Sequence, residues 1–205
     1  TLLMFVGEDI EVLSIASRRR ESAGSAPAVA KVITRQQLEE RGIRTVSQAL
    51  EMTPGFYMAK KEWGTEPYLR GIPQSALFLY DTVPLGSDTT KSLIPIDYQL
   101  SLASVKRIEI IRGPGSVLWG PDAFAGIVNL VPLTGKDVNG VDAGVSYGAP
   151  GDQESFYINM GRDGGHWDAF LSLSGRNGEE DTTFCNIARF WKTATKPYSP
   201  EDRYG

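Results

Sequence analysis

The segment best equipped for chemistry is Gly113-Pro114-Gly115-Ser116, with Gly120-Pro121 close behind it. A glycine-rich turn that opens a helix can cradle an anion, because unpaired backbone N–H groups converge there. This one lacks the Lys-Ser/Thr that completes a phosphate loop, and no G-x-G-x-x-G pattern runs through it. It reads instead as a plain reversal, in which Pro114 fixes φ and donates nothing while Gly113 and Gly115 can take positive φ. Other reactive side chains are isolated: His166 is the only histidine and Cys185 the only cysteine, which excludes a His/Cys metal site and an intrachain disulfide. No Ser/His/Asp or Cys/His set and no carboxylate pair assignable to one site is present, so neither catalysis nor a cofactor is implied. A net charge of -4 argues against a nucleic-acid partner, which requires a basic face.

The elements around that turn are short. Ile108 and Ile110 alternate with Arg107 and Glu109, the period-2 pattern of a half-buried strand leading into the turn. Ser116 can cap one helical turn through Val117, Leu118 and Trp119. Ala123 to Gly126 are small enough for close backbone approach before Ile127, Val128, Leu130 and Val131 resume a buried strand. Upstream, residues 8 to 25 read as a flexible arm that begins with an extended Ile10-Glu11-Val12-Leu13-Ser14-Ile15. Val29 to Ile33 is a strand. Thr34 with Gln37 forms a capping box for a helix ended by Gly42, and Thr45 with Gln48 repeats the device for a second helix whose Val46, Ala49 and Leu50 share one face. Pro54-Gly55 stops that helix. Extended pieces at Phe56 to Met58, Tyr68 to Arg70 and Leu77 to Tyr80 follow, the last turning at Asp81-Thr82 into Val83. Between them lie polar loops at Lys60 to Glu66, Pro73 to Ser75 and Gly86 to Ser92. Short strands interleaved with capped helices up to about Pro132 predict a small α+β domain.

After Lys136 the pattern changes. Val141, Ala143, Val145 and Tyr147 alternate with Asp142, Gly144, Ser146 and Gly148. Phe156, Ile158 and Met160 alternate with Ser155, Tyr157 and Asn159, and Trp167, Ala169, Leu171 and Leu173 with Asp168, Phe170, Ser172 and Ser174. Turns at Pro150-Gly151-Asp152 and Asp163-Gly164-Gly165 suit antiparallel neighbours. The pattern fits the edge of a soluble sandwich, with its apolar face inward, and it fits a membrane barrel, with its apolar face on lipid. No run approaches the eighteen or so apolar residues of a spanning helix, so a membrane role would have to come through β structure. Three such strands cannot close a barrel, so on the membrane reading the chain is a piece of something longer. Residues 177 to 205 read as a long polar loop or an unfinished segment.

The order strand, Gly-Pro-Gly turn, short helix, strand over residues 105 to 131 resembles the plug domain of TonB-dependent outer-membrane receptors. Ala28 to Thr34 resembles the family's opening strand, Val46 to Phe56 its helix and Pro-Gly stop, and Leu69-Arg70-Gly71-Ile72 its central Arg-Gly strand. Leu77 to Pro84 resembles a further strand that usually carries Asp-Gly where this chain has Asp81-Thr82, a departure that weakens the expected positive-φ turn. The resemblance implies an α+β plug of small mixed sheet and short helices, followed by antiparallel transmembrane strands of an incomplete 22-stranded β-barrel. It divides the chain into an N-terminal arm at 1–26, a plug at 27–135 and first barrel strands with a loop at 136–205.

By the same resemblance the whole protein resides in the outer membrane of a Gram-negative bacterium, in contact with its lipid, with the plug facing the periplasm. It imports a scarce nutrient such as a ferric siderophore or cobalamin, driven by TonB of the inner-membrane energising complex. TonB would grip Ile10, Glu11, Val12, Leu13, Ser14 and Ile15, since an extended strand can be recruited by β-augmentation and pulled. The alternative for these residues is simply the first strand of the domain. Plug loops carrying Lys60, Lys61, Trp63, Gln74, Ser75 and Asp88 would face an extracellular small-molecule ligand, with the two lysines and the indole suited to an anionic, partly apolar chelate. Arg70 and Arg112 match plug arginines that pair with barrel glutamates, because a buried guanidinium needs a carboxylate; in this chain alone they must be solvated or paired with nearby acids such as Glu109. Two other classes stand beside the transporter: a soluble periplasmic plug-like module that binds or signals, and a phosphate-binding enzyme built on Gly113 to Gly120.

Overall fold

The structure, a computed structural model, describes residues 12–13, 21–22, 29–61, 64–85, 93, 96–97, 100–113, 119–148, 153–178 and 181–192. The chain forms two compact units, Thr1–Pro132 and Leu133–Gly205.

In the first unit, β1 (Val12–Leu13) pairs with β2 (Glu21–Ser22) in a two-residue antiparallel ladder. The main sheet has five strands in the order β3 (Val29–Thr34), β9 (Val105–Arg112), β10 (Gly126–Pro132), β7 (Ala76–Tyr80), β8 (Val83–Leu85), with β10 and β7 parallel and every other pair antiparallel. β9 and β10 lie in its middle, as their near-continuous Ile/Val/Leu runs require of strands covered on both faces. One face packs against α1 (Arg35–Glu40) and α2 (Val46–Glu51) through Ile33, Leu38, Val46, Leu50, Ile108 and Val128. Both helices start at the expected capping boxes, Thr34 with Gln37 and Thr45 with Gln48. Such short helices are held by this packing rather than by their own propensity. The opposite face buries Leu77, Leu79, Ile111, Ala123 and Ile127 against Trp119.

A three-stranded sheet, β4 (Phe56–Lys61), β5 (Gly64–Leu69) and β6 (Ile72–Pro73), leaves this core. Two expectations are corrected here. Lys60, Lys61 and Gly64 to Glu66 are strand and not loop: Lys60 pairs with Thr65 and Lys61 with Gly64, on a strand whose Met58 is buried in the core. Arg70 is not in a strand but at φ 54 beside Gly71 at φ 81, a two-residue hairpin turn between paired Leu69 and Ile72.

Asp81 and Thr82 also depart from expectation, since both take positive φ (51 and 66) although neither is glycine. The turn is held from outside: Asp81 N–H donates to Leu130 O at 2.9 Å and Thr82 N–H to Asn129 Oδ1 at 3.1 Å. Asn129 is itself buried and donates to Glu109 Oε2 at 3.2 Å; Arg107 holds the other oxygen of that carboxylate at 2.8–2.9 Å. A fully buried Glu109 is tolerable because both oxygens are occupied by donors.

The second unit is a four-stranded antiparallel meander, β11 (Gly140–Gly148), β12 (Gln153–Asp163), β13 (Trp167–Gly178) and β14 (Asp181–Lys192). Within the stretch expected to be a long polar loop or an unfinished segment, residues 181–192 instead form β14, which pairs along its length with β13. The faces are inverted relative to a water-soluble sheet. Val141, Val145, Tyr147, Phe156, Met160, Trp167, Leu171 and Leu173 are exposed, Val145 to 89%, whereas Asn159, Ser172 and Ser174 on the opposite face are buried, Asn159 completely. The polar face is bonded to itself: Tyr157 and Asn159 donate to Asp142, and Ser172 donates to Asn159 at 2.7 Å.

Gly126 is the tightest point of the first unit, as a Cβ there would lie 2.6 Å from both Ile111 O and Leu69 Cδ2. Gly126→Ala should cost about 1–3 kcal/mol, read as a lower denaturant midpoint; an unchanged midpoint would contradict the packing described.

Candidate functional site

The β4–β5 hairpin presents the residues best suited to meeting a ligand. Tyr57 and Tyr68 are directly paired across the strands, with ring centroids 6.1 Å apart and planes at 69°, an edge-to-face contact. Lys61 places its ammonium 5.9 Å from the Tyr68 ring centroid and 3.8 Å from Glu66 Oε2. Gln74 donates to the other Glu66 oxygen at 2.8 Å. Lys61 and Gln74 are thus brought together by the buried carboxylate of Glu66, a residue that sequence reasoning passed over as loop. Ser75 is buried, with its hydroxyl on Ile72 O at 2.9 Å, so it shapes the turn and does not face outward. Lys60 is exposed one residue from Lys61 and points to the other side of the hairpin, as alternation along β4 demands. Trp63 and Asp88 lie outside the described residues, as do Ile10, Glu11, Ser14 and Ile15; Val12 and Leu13 form β1.

The two expected arginines are not together in role. Arg70 is exposed at its hairpin turn, which Arg70 N–H fastens to Gly55 O at 2.8 Å. Arg112 ends β9 and donates from Nη1 to Pro54 O at 2.8 Å, while its Nε is buried without an acceptor. Glu109, named as a partner for them, is taken by Arg107, which stands two residues away on the same face of β9. Lys31 on β3 joins the α2 end of this region, donating to Met52 O at 3.2 Å and Thr53 Oγ1 at 3.4 Å. Burial, then Arg41 and Arg112, hold its ammonium below the ordinary 10.5. Gly113 is buried, donates to Ala125 O at 2.9 Å and does not use positive φ; Gly120 does, at 87. Pro114 and Gly115 lie outside the described residues. Among the described residues no group of His, Cys, Asp and Glu could hold a metal.

Residues 22–127 match the model of the TonB-dependent Receptor Plug Domain. The chain belongs to this family. It is a family of receptors and not of enzymes. Over 129 residues the chain is 31% identical to the ferric-pyoverdine M114 receptor PbuA of Pseudomonas sp. (strain M114), covering 62% of this chain and 15% of that protein. Over 155 residues it is 29% identical to the vitamin B12 transporter BtuB of Photobacterium profundum, covering 73% and 24%. The chain therefore spans less than a quarter of the length of these relatives. Among solved structures, the pyoverdine outer membrane receptor FpvA of Pseudomonas aeruginosa PAO1 superposes with a TM-score of 0.67 at 19% identity, over 82% of this chain and 25% of that one, which shows a shared fold.

Lys31 gives the plug a pH signature. With its folded value depressed, the charged form is disfavoured by folding; that penalty is fully present below the folded value and is relieved as pH rises towards 10.5. The stability of the wild type relative to Lys31→Met should therefore rise between pH 7 and pH 10, measured by denaturation of both; a pH-independent difference would contradict it.

Proposed function

We propose that the chain is the plug and first wall strands of a TonB-driven outer-membrane transporter that takes up a scarce nutrient, with a ferric siderophore or similar metal chelate as the substrate class. The observation that carries this reading is the inverted sheet of the second unit. In water, an exposed Val, Leu or Phe forgoes roughly 1.5–3 kcal/mol of burial, and a soluble sandwich edge would turn those residues inward. In lipid the same arrangement is the stable one, with apolar side chains out and polar ones facing the lumen.

Its dimensions agree. Trp167 stands at one end of the face that carries the exposed apolar residues, one row beyond Arg162 and Ala169, and Tyr147, level in register with Glu154 and Asn177, stands at the other. Ten residue steps from 167 to 177 are roughly 34 Å along a strand, and at a tilt of about 40° this is about 26 Å of height, against an apolar band of about 25 Å. Aromatic residues at both ends suit the two interfaces of a bilayer.

Within this reading, Ile10 to Ile15 is the segment that TonB engages, Lys60 and Lys61 on β4 lie with Trp63, Gln74 and Asp88 on the ligand side, Ser75 shapes the turn behind them, and Arg70 and Arg112 meet carboxylates of the wall. The two curated relatives, named for ferric pyoverdine and vitamin B12, support the substrate class.

Leu171 lies near the middle of the exposed band. Leu171→Arg in the intact protein should weaken folding into lipid vesicles by about 2–4 kcal/mol, whereas on a water-facing sheet it would be close to neutral. Leu13→Pro should leave ligand binding intact and abolish energised uptake, since proline cannot donate to an added strand; uptake at the wild-type rate would overturn the assignment of residues 10–15.

A further inference from the structure

The segment that carries the chain out of β10 is fastened more tightly than a linker needs to be. After Pro132, Thr134 caps a single helical turn, α3 (Gly135–Val138), through a reciprocal box: Asp137 N–H donates to Thr134 Oγ1 and Thr134 N–H to Asp137 Oδ2 at 2.9 Å. One turn has no stability of its own. It is held instead by the β12–β13 hairpin. Asp168 accepts from Gly135 N–H at Oδ1 and from Lys136 N–H at Oδ2, both at 2.7 Å, the short distance of charge-assisted bonds. The backbones also touch: a Cβ on Gly135 would lie 2.2 Å from Ala169 O and 2.7 Å from Arg162 O, and one on Gly161 would lie 2.7 Å from Gly135 O. Glycine is required at both places for contact, not for φ, since neither is in the left-handed region.

From this we propose that Asp168 is a positioning residue for transport: it anchors α3 so that tension drawn through the first unit stops at Thr134 and does not enter the wall strands. The inference rests on the reading above, in which the N-terminal arm is pulled. The chain layout makes the anchor the next point to bear load once β10 has yielded, because only two residues separate Pro132 from Gly135. With both Asp168 oxygens engaged, α3 cannot unwind without exposing two amides and a carboxylate that are paired in the resting state. With the anchor lost, α3 keeps only its own capping box, its single-turn bonds and the backbone contact at Gly135 before β11 begins at Gly140.

The test is single-molecule extension of the intact protein in a bilayer, with a handle at residue 1 and no TonB present. Wild type should reach a final contour length of about 46 nm, residues 1–132 at roughly 3.5 Å each, and hold there. Asp168→Ala should add about 2.5 nm, the length of residues 133–139, at a force that wild type withstands. Asp168→Asn, which keeps one acceptor oxygen and loses the charge, should release the same length at an intermediate force, and serves if the alanine variant does not insert. A merely stabilising residue would change unfolding forces without moving the final length. Wild type running on through the extra 2.5 nm without a pause, or variants ending at the wild-type length, would overturn the proposal. Because the pull is applied directly, this outcome is independent of the uptake result for Leu13→Pro, which tests the underlying reading.

Discussion

A sheet that hides its polar side and shows its apolar side to the surroundings has to meet a medium other than water on that apolar side. On the proposed reading this constraint governs the second unit. Asp142, Asn159 and Ser172 lie in one cross-strand row and satisfy one another, so the inner face does not need water. The outer face carries Val141, Val145, Phe156, Met160, Leu171 and Leu173, with the exposed charges Arg162 and Glu154 in the rows that border them. Hydrocarbon demands that every backbone group be paired within the protein, and the long, regular ladders β11–β12–β13–β14 answer that demand wherever a neighbour is present.

The first unit solves the opposite problem, that of keeping charge inside a hydrophobic core. Glu109 sits in the middle strand pair with both oxygens used by Arg107 and Asn129, and Asn129 passes the interaction on to the Asp81–Thr82 turn. Removing one member of a buried ionic pair costs about 3–5 kcal/mol, so this polar seam constrains the strands as firmly as the isoleucines around it. The β4–β5 hairpin then hangs from the same core through Leu69 and Met58, and its exposed Tyr57 and Lys61 and half-buried Tyr68 can face a ligand without carrying the fold.

Much of this was legible residue by residue. The two Thr-x-x-Gln boxes located both helices, the alternation after Lys136 located three antiparallel strands of the second unit, and the small residues before Ile127 announced the close approach at Gly126. The plug signature was legible as well, because it is a chain of local turns and caps. Other features depended on partners distant in sequence. Thr82 takes a conformation that its type disfavours because Asn129, 47 residues away, holds its amide. β14 has no apolar face in its sequence, since Phe184 and Phe190 share one parity with Thr182 and Asn186 while Ile187 and Trp191 share the other with Arg189; pairing with β13 supplies what periodicity lacks. Glu66 and Asp168 act through hydrogen bonds to elements that only folding brings near. Alternation reveals that a sheet has two unlike faces and is silent on which one turns outward; that the apolar face is the exposed one became visible only in the fold.

The most direct measurement places a nitroxide at Leu171 or at Ser172 of the intact protein in lipid vesicles and compares its collisions with oxygen, which concentrates in hydrocarbon, against a water-soluble nickel chelate. The account predicts high oxygen and low nickel accessibility at 171, with both low at the buried position 172. Free collision of the nickel chelate with the label at 171 would place that face in water and contradict the account.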